Sequence, residues 1–155
     1  MSDVGHLTPG DEETSIPLQP LVGILNQALL PFLQAKKSFI INEVSPNLEM
    51  STPAESILPV LNGMLAAVVM YSDESCIRIS TEVVAPNILQ LNVTDNNSCH
   101  TYGVACALQN VLPVAEKMGG KIIISNHRQR ITTVSFRFIV PHISPQVGDN
   151  LRGAA

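Results

Sequence analysis

Between Cys76 and Thr94 the chain alternates apolar and polar residues with a period of two, interrupted once by Pro86-Asn87. Ile77, Ile79, Thr81 and Val83 fall on one face and Arg78, Ser80 and Glu82 on the other, so the segment reads as an antiparallel hairpin half-buried in a core. Lys121 to Ser125 and Ile131 to Val140 repeat the pattern around a turn at Asn126 to Arg130. Hairpins commit a sheet to a mostly antiparallel arrangement, with one face packed and the other free for solvent or a partner.

Helical patterns separate these strands. Leu21, Ile24, Leu25, Leu29, Phe32 and Leu33 recur at helical spacing after Pro20, with a bend expected at Pro31 and with Lys36 and Lys37 at the C-terminal end. Ser38 to Val44 is β-branched and aromatic and reads as a strand closed by Ser45-Pro46-Asn47. Thr52, Pro53 and Glu55 form a capping-box pattern ahead of a second helix, which carries Ile57, Leu58, Leu61, Met64, Leu65 and Val68 on one face and stops near Ser72. Pro59 implies a kink or a late start. After a polar loop from Asp95 to Thr101, a third helix is expected from about Tyr102 to Met118, ended by Gly119-Gly120. The order helix, strand, helix, hairpin, helix, hairpin predicts a two-layer α/β sandwich with a mostly antiparallel mixed sheet and helices on one face. Residues 17–141 make up this domain, between polar segments 1–16 and 142–155 expected to be disordered.

Composition narrows the function classes. The chain has 155 residues, a net charge of -4 and only nine Lys and Arg, which excludes the basic footprint of a nucleic-acid binder. The one basic cluster, His127, Arg128 and Arg130, reads as a solvated turn. Aromatics are 4% with no Trp, so base-stacking platforms are lacking. Cys76, Cys99 and Cys106 have no C-x-x-C spacing and fit reduced thiols. Adjacent Cys99-His100 reads as a polar loop rather than a nucleophile with its base. The N-terminus lacks a signal-peptide pattern and the apolar run Met64 to Tyr71 is too short to cross a bilayer, so no membrane contact and a cytoplasmic location are expected. The triplets Asn92-Val93-Thr94 and Asn96-Asn97-Ser98 are then chance glycosylation-like matches.

Several segments carry a resemblance. Ile57 to Ala67 resembles the helix of histidine-kinase ATP-binding domains that reads V-L-x-N-L-L-x-N-A. Val93-Thr94-Asp95-Asn96-Asn97 is similar to that family's D-x-G-x-G box. Gly103 to Leu108, continuing through Ala115 to Gly120, resembles its glycine-rich helix start and terminal Gly-Gly, and Thr132 to Phe138 its last strand. Together they cover residues 21–141 in the family's order. The resemblance implies the histidine kinase-like ATPase (GHKL) fold.

The resemblance also implies a site, and here the chain departs from it. The family's magnesium-coordinating asparagine is matched with Ala66, which has no oxygen to offer. Asn62, one turn earlier, stands where some relatives of the fold carry a glutamate base, and an amide cannot take a proton from water. Phosphate-loop glycines are matched by Asn97, Cys99, Ala105 and Ala107, leaving Gly103, and only a short loop joins Asp95 to Gly103, too short for the family's mobile lid. Asp95 matches the carboxylate that accepts the adenine amino group. Asn62, Asp95 and Gly103 are thus the residual nucleotide-binding candidates, with no catalytic or metal-ligating residue. A histidine kinase also needs a phosphoacceptor histidine on a dimerising helix pair, and His6-Leu7-Thr8-Pro9 only faintly resembles such a box. The expectation is a degenerate, catalytically inert signalling module that binds a protein partner: a kinase, a response regulator or a second copy of itself. No cofactor is expected, with ATP and magnesium kept as the alternative. The rival expectations are a non-hydrolysing adenine-nucleotide sensor and the ATP-binding part of a split histidine kinase.

Overall fold

The computed structural model describes residues 15–143. The expectations for 1–14 and 144–155, His6-Leu7-Thr8-Pro9 among them, lie outside the described residues.

The chain begins with β1 (Ile16–Pro17), α1 (Leu18–Ala35), β2 (Phe39–Asn42) and β3 (Glu49–Met50). It continues with α2 (Ala54–Met70), the hairpin β4 (Cys76–Ala85) and β5 (Ile88–Asp95), and the short helices α3 (Thr101–Ala107) and α4 (Leu112–Lys117). The hairpin β6 (Lys121–His127) and β7 (Ile131–Ile139) closes the fold. The main sheet runs β2-β4-β5-β7-β6. β2 lies parallel to β4, which requires the α2 crossover between them, and every other neighbouring pair is antiparallel. This is the expected mixed sheet. β1 and β3, which were not foreseen, pair with each other, and Met50 also bridges Ile143.

Alternation along the strands sets the layers. Ile77, Ile79, Leu89, Leu91, Val93, Val134, Phe136 and Phe138 point inward and are buried with Leu18, Val22, Leu25, Leu29 and Leu33 of α1 and Ile57, Leu61, Met64, Leu65 and Val68 of α2. Full burial of each such aliphatic side chain contributes about 1.5–3 kcal/mol. The outward face carries a hydrogen-bonded ladder instead. Arg137 donates to Gln90 from Nε and Nη2 at 2.9 and 2.7 Å, Gln90 Nε2 donates to Asn92 Oδ1 at 2.9 Å, and Ser135 Oγ donates to the same oxygen at 2.6 Å. Asn92 Nδ2 reaches Glu82 at 3.3 Å, and the Thr94 and Thr133 hydroxyls meet at 3.1 Å.

Two local expectations are corrected. The capping box does not form: α2 takes Pro53 as its N-cap, in extended conformation with no side-chain cap bond, which leaves Thr52 one residue too early to reach the first-turn N–H groups. As expected, Pro20 sits in the first turn of α1, which begins at Leu18, where its missing N–H costs nothing; α1 and α2 continue past Pro31 and Pro59, so α2 has no late start. The single third helix is broken at Leu108–Val111. Pro113, at the start of α4, has no N–H for the Gln109 carbonyl and crowds it, and here the helix restarts with the proline in its first turn.

Candidate functional site

Asp95 owes its place to the strand period. Leu89, Leu91 and Val93 are the inward positions of β5, and Asp95 is the next one, opposite Ile77 of β4 and Thr132 of β7. A carboxylate thereby ends an apolar stripe on the helix-covered face and is only 1% exposed. One of its oxygens, Oδ1, accepts the Asn97 N–H at 2.9 Å, which turns the chain out of the strand. The other, Oδ2, is buried and has no hydrogen-bond partner among the described residues. Burial pushes the carboxyl pKa up, opposed by the Asn97 amide, the Ser75 hydroxyl and the nearby His100.

The neighbouring polar groups are satisfied. Thr132, fully buried opposite Asp95, shares its hydroxyl with Thr101 at 2.9 Å and with Ser98 at 3.3 Å. Asn126 Nδ2 donates to Thr101 at 2.7 Å and to Thr132 at 3.3 Å. Ser98 N–H donates to the Arg130 carbonyl at 2.7 Å, and Asn97 Nδ2 to the Asp73 carbonyl at 2.8 Å. Ser75 and Thr132 were missed in the sequence, although Thr132 stands in register with Val134, Phe136 and Phe138 and the period of two marks it as inward.

Gly103 serves packing. A Cβ built there would meet the Tyr71 ring at 2.6 Å from Cε1 and 2.8 Å from Cζ, so the first turn of α3 lies directly on the ring at the end of α2. On α2 a Cβ at Gly63 would run into the Val111 side chain. Gly63, Ala67 and Tyr71 lie at i, i+4 and i+8 and form the stripe on which α3 and its connecting turn rest. Tyr71 also faces His100, with ring centroids 6.0 Å apart. Sequence inspection did not single out Tyr71, which a glycine opposite an aromatic makes legible only once the pairing is known.

Ala66 is not on this stripe. It lines an apolar groove with Leu29, Phe32, Ala35, Val69 and Met70 on the α1 side, and it is Ala67 that occupies the helix face toward α3 and α4. Neither residue carries an oxygen. Asn62 is exposed on α2, Asp95 is sealed from solvent and Gly103 is half-buried against Tyr71, so the three candidate residues do not present one common surface. The orphaned Oδ2 suits a hydrogen-bond donor such as a ring amino group, but the side chains on this face of α2 do not suit a magnesium-phosphate group. Among the described residues no set of three His, Cys, Asp or Glu side chains is placed to hold a metal ion. No helix of the described region is long and apolar enough to cross a membrane.

Beside the Asp95 turn, an open cleft of about 450 Å³ is lined by Asp73, Asn97, Ser98, Cys99, His100 and the β6–β7 turn at Arg128, Gln129 and Arg130. Cys99 and His100 are both exposed there, on a polar loop as expected.

No family model matches the sequence, and no curated protein matches it. Solved structures do. Acinetobacter baumannii histidine kinase AdeS superposes with a TM-score of 0.68 at 17% identity, over 83% of this chain and 68% of that one. The fold is that of a histidine-kinase catalytic domain. The catalytic domain of histidine kinase ThkA matches with a TM-score of 0.63 at 14% identity, over 81% of this chain and 94% of its own. ShkA, solved at full length in complex with AMPPNP, matches with a TM-score of 0.68 at 14% identity over 82% of this chain, which spans only 31% of ShkA. On the histidine-kinase fold, the α/β layers and sheet described above are accounted for over nearly the whole described region.

Proposed function

We propose that this chain is a histidine-kinase-fold module that acts in signalling through protein contacts, without hydrolysing ATP or transferring phosphate. The observation that carries the proposal is the seating of α3 on α2. The Tyr71 ring occupies the space next to Gly103, Val111 covers Gly63, and Asp95 and Met64 are closed off, and this close packing supports a module that takes up no phosphate chain between α2 and α3. The absence of an oxygen-bearing side chain at Ala66 and Ala67 supports the same reading. Calorimetry with ATP, ADP and adenosine, with and without magnesium, tests it: no binding at millimolar ligand is expected, and micromolar binding would overturn it.

One observation favours a second reading, a nucleotide sensor that holds an adenine compound without hydrolysis. A buried carboxylate oxygen with no partner is costly, and a ligand N–H would satisfy it. On that reading α3 must lift from Tyr71 to admit the base, and binding is abolished by Asp95→Ala.

A further inference from the structure

We propose that the cleft between the Asp95–His100 loop and the β6–β7 turn binds a phosphate group. It does not depend on the proposed function, because the cleft lies outside the packed α2–α3 contact and would be present whether or not adenine binds.

Charge is the first argument. The chain is acidic, with thirteen Asp and Glu against nine Lys and Arg, yet Arg128, Arg130 and His100 all line one cleft in which Asp73 is the single acid. Two guanidinium groups match the oxygens of a phosphate in planar, paired hydrogen bonds better than any other side chain does. Asn97, Ser98 and Gln129 add neutral polar groups to the same walls. At about 450 Å³ the space suits a small molecule and far exceeds an ion alone.

Backbone geometry is the second argument. His127–Arg130 is a tight turn closed by the Arg130 N–H to the His127 carbonyl at 3.1 Å, and both central residues are left-handed, Arg128 at φ 58° and Gln129 at φ 54°. Such a turn favours Asn and Gly, because the left-handed conformation brings a side chain against the backbone. Long side chains there cost stability, and the turn sets the backbone from which they line the cleft. The Ser98 N–H to Arg130 carbonyl bond, at 2.7 Å, ties the two walls together through backbone atoms alone. Replacing the arginine side chains therefore leaves the walls joined.

The test is an amide NMR titration of the full chain with inorganic phosphate and, separately, phosphoserine, at constant ionic strength set with chloride. Saturable shifts confined to 97–100 and 127–130 are expected, with affinity lowered about tenfold or more in Arg128→Gln and in Arg130→Gln. Tighter binding of phosphoserine identifies a phosphomonoester as the ligand, and equal or tighter binding of inorganic phosphate identifies the free anion. Shifts that fail to saturate, or that persist unchanged in the Arg128→Gln/Arg130→Gln double variant, overturn the proposal. Silence toward both phosphates overturns it too, and leaves the adenine question to the separate calorimetry.

Discussion

A single methyl group at Gly103 probes the seating of α3 on α2. In Gly103→Ala the new Cβ would stand 2.6, 2.8 and 3.0 Å from three carbons of the Tyr71 ring, closer than carbon atoms approach without displacement. The ring is rigid and wedged between α2 and α3, so either the ring must rotate or α3 must move outward. Overpacking of this kind costs about 1–3 kcal/mol. Against it, replacing glycine by alanine inside a helix returns about 1 kcal/mol. The expected net effect is a loss of up to about 2 kcal/mol, which at a urea slope of about 2 kcal/mol per molar lowers the unfolding midpoint by up to roughly 1 M. The same substitution in a Tyr71→Ala background meets no ring and keeps its helix-forming benefit, so there it should raise the midpoint. The sign reversal between backgrounds is the signature of the contact. Should Gly103→Ala raise the midpoint with Tyr71 in place, the packing role of Gly103 is wrong and the helix start is looser than described.

Two further substitutions address neighbouring features. Asp95 has its folded pKa raised above the ordinary 3.8 by burial, so between the two values the native state holds the extra proton and stability falls as pH rises through that window. Asp95→Asn keeps an acceptor for the Asn97 N–H and cannot ionise; it should flatten this dependence and be more stable than the wild type at pH 7, and an unchanged pH profile of unfolding would rule out Asp95 as its source. At Gly120 a Cβ would lie 2.6 Å from the Arg137 carbonyl oxygen and 2.7 Å from Phe138 Cβ, atoms of a central strand that cannot yield. Gly120→Ala should therefore cost about 3 kcal/mol and lower the thermal midpoint by roughly 10 °C, read by calorimetric melting.

The layers were legible because hydrophobic period is a strong signal when both faces differ: Ile77 and Ile79 against Arg78 and Ser80 assign the hairpin and its inward side without ambiguity. Helix ends were less legible. Thr52-x-x-Glu55 satisfies a capping pattern, but Pro53 adopts an extended conformation equally well outside the helix, and only the helix start decides between them. The break before Pro113 was not legible, because Pro31 and Pro59 stand in apolar periods of the same kind and their helices run on through them. In the candidate site, Asp95 was found and its neighbours were not, since Thr132 and Ser75 join it from segments distant in sequence. Ala66, matched with the family's asparagine, lines the groove beside α1, a placement the motif does not show, since a rotation of 100° about the helix axis separates each residue from the next. Gly119 and Gly120 were read together as a helix stop, but only Gly119 adopts the left-handed conformation, at φ 77°, while Gly120 is set by its contact with β7.

The ladder on the outward face of the sheet bears on where a partner can settle. Gln90, Asn92, Ser135 and Arg137 already bond one another, so a protein laid across that face would exchange existing hydrogen bonds for new ones and gain little by doing so. The same cross-strand bonds join β5 to β7 from the solvent side, while Leu91, Val93, Phe136 and Phe138 join them from the core. A slip of one residue between these strands would break both sets at once, so the sheet behaves as a stiff plate, and adaptability is confined to the helices and turns around its rim.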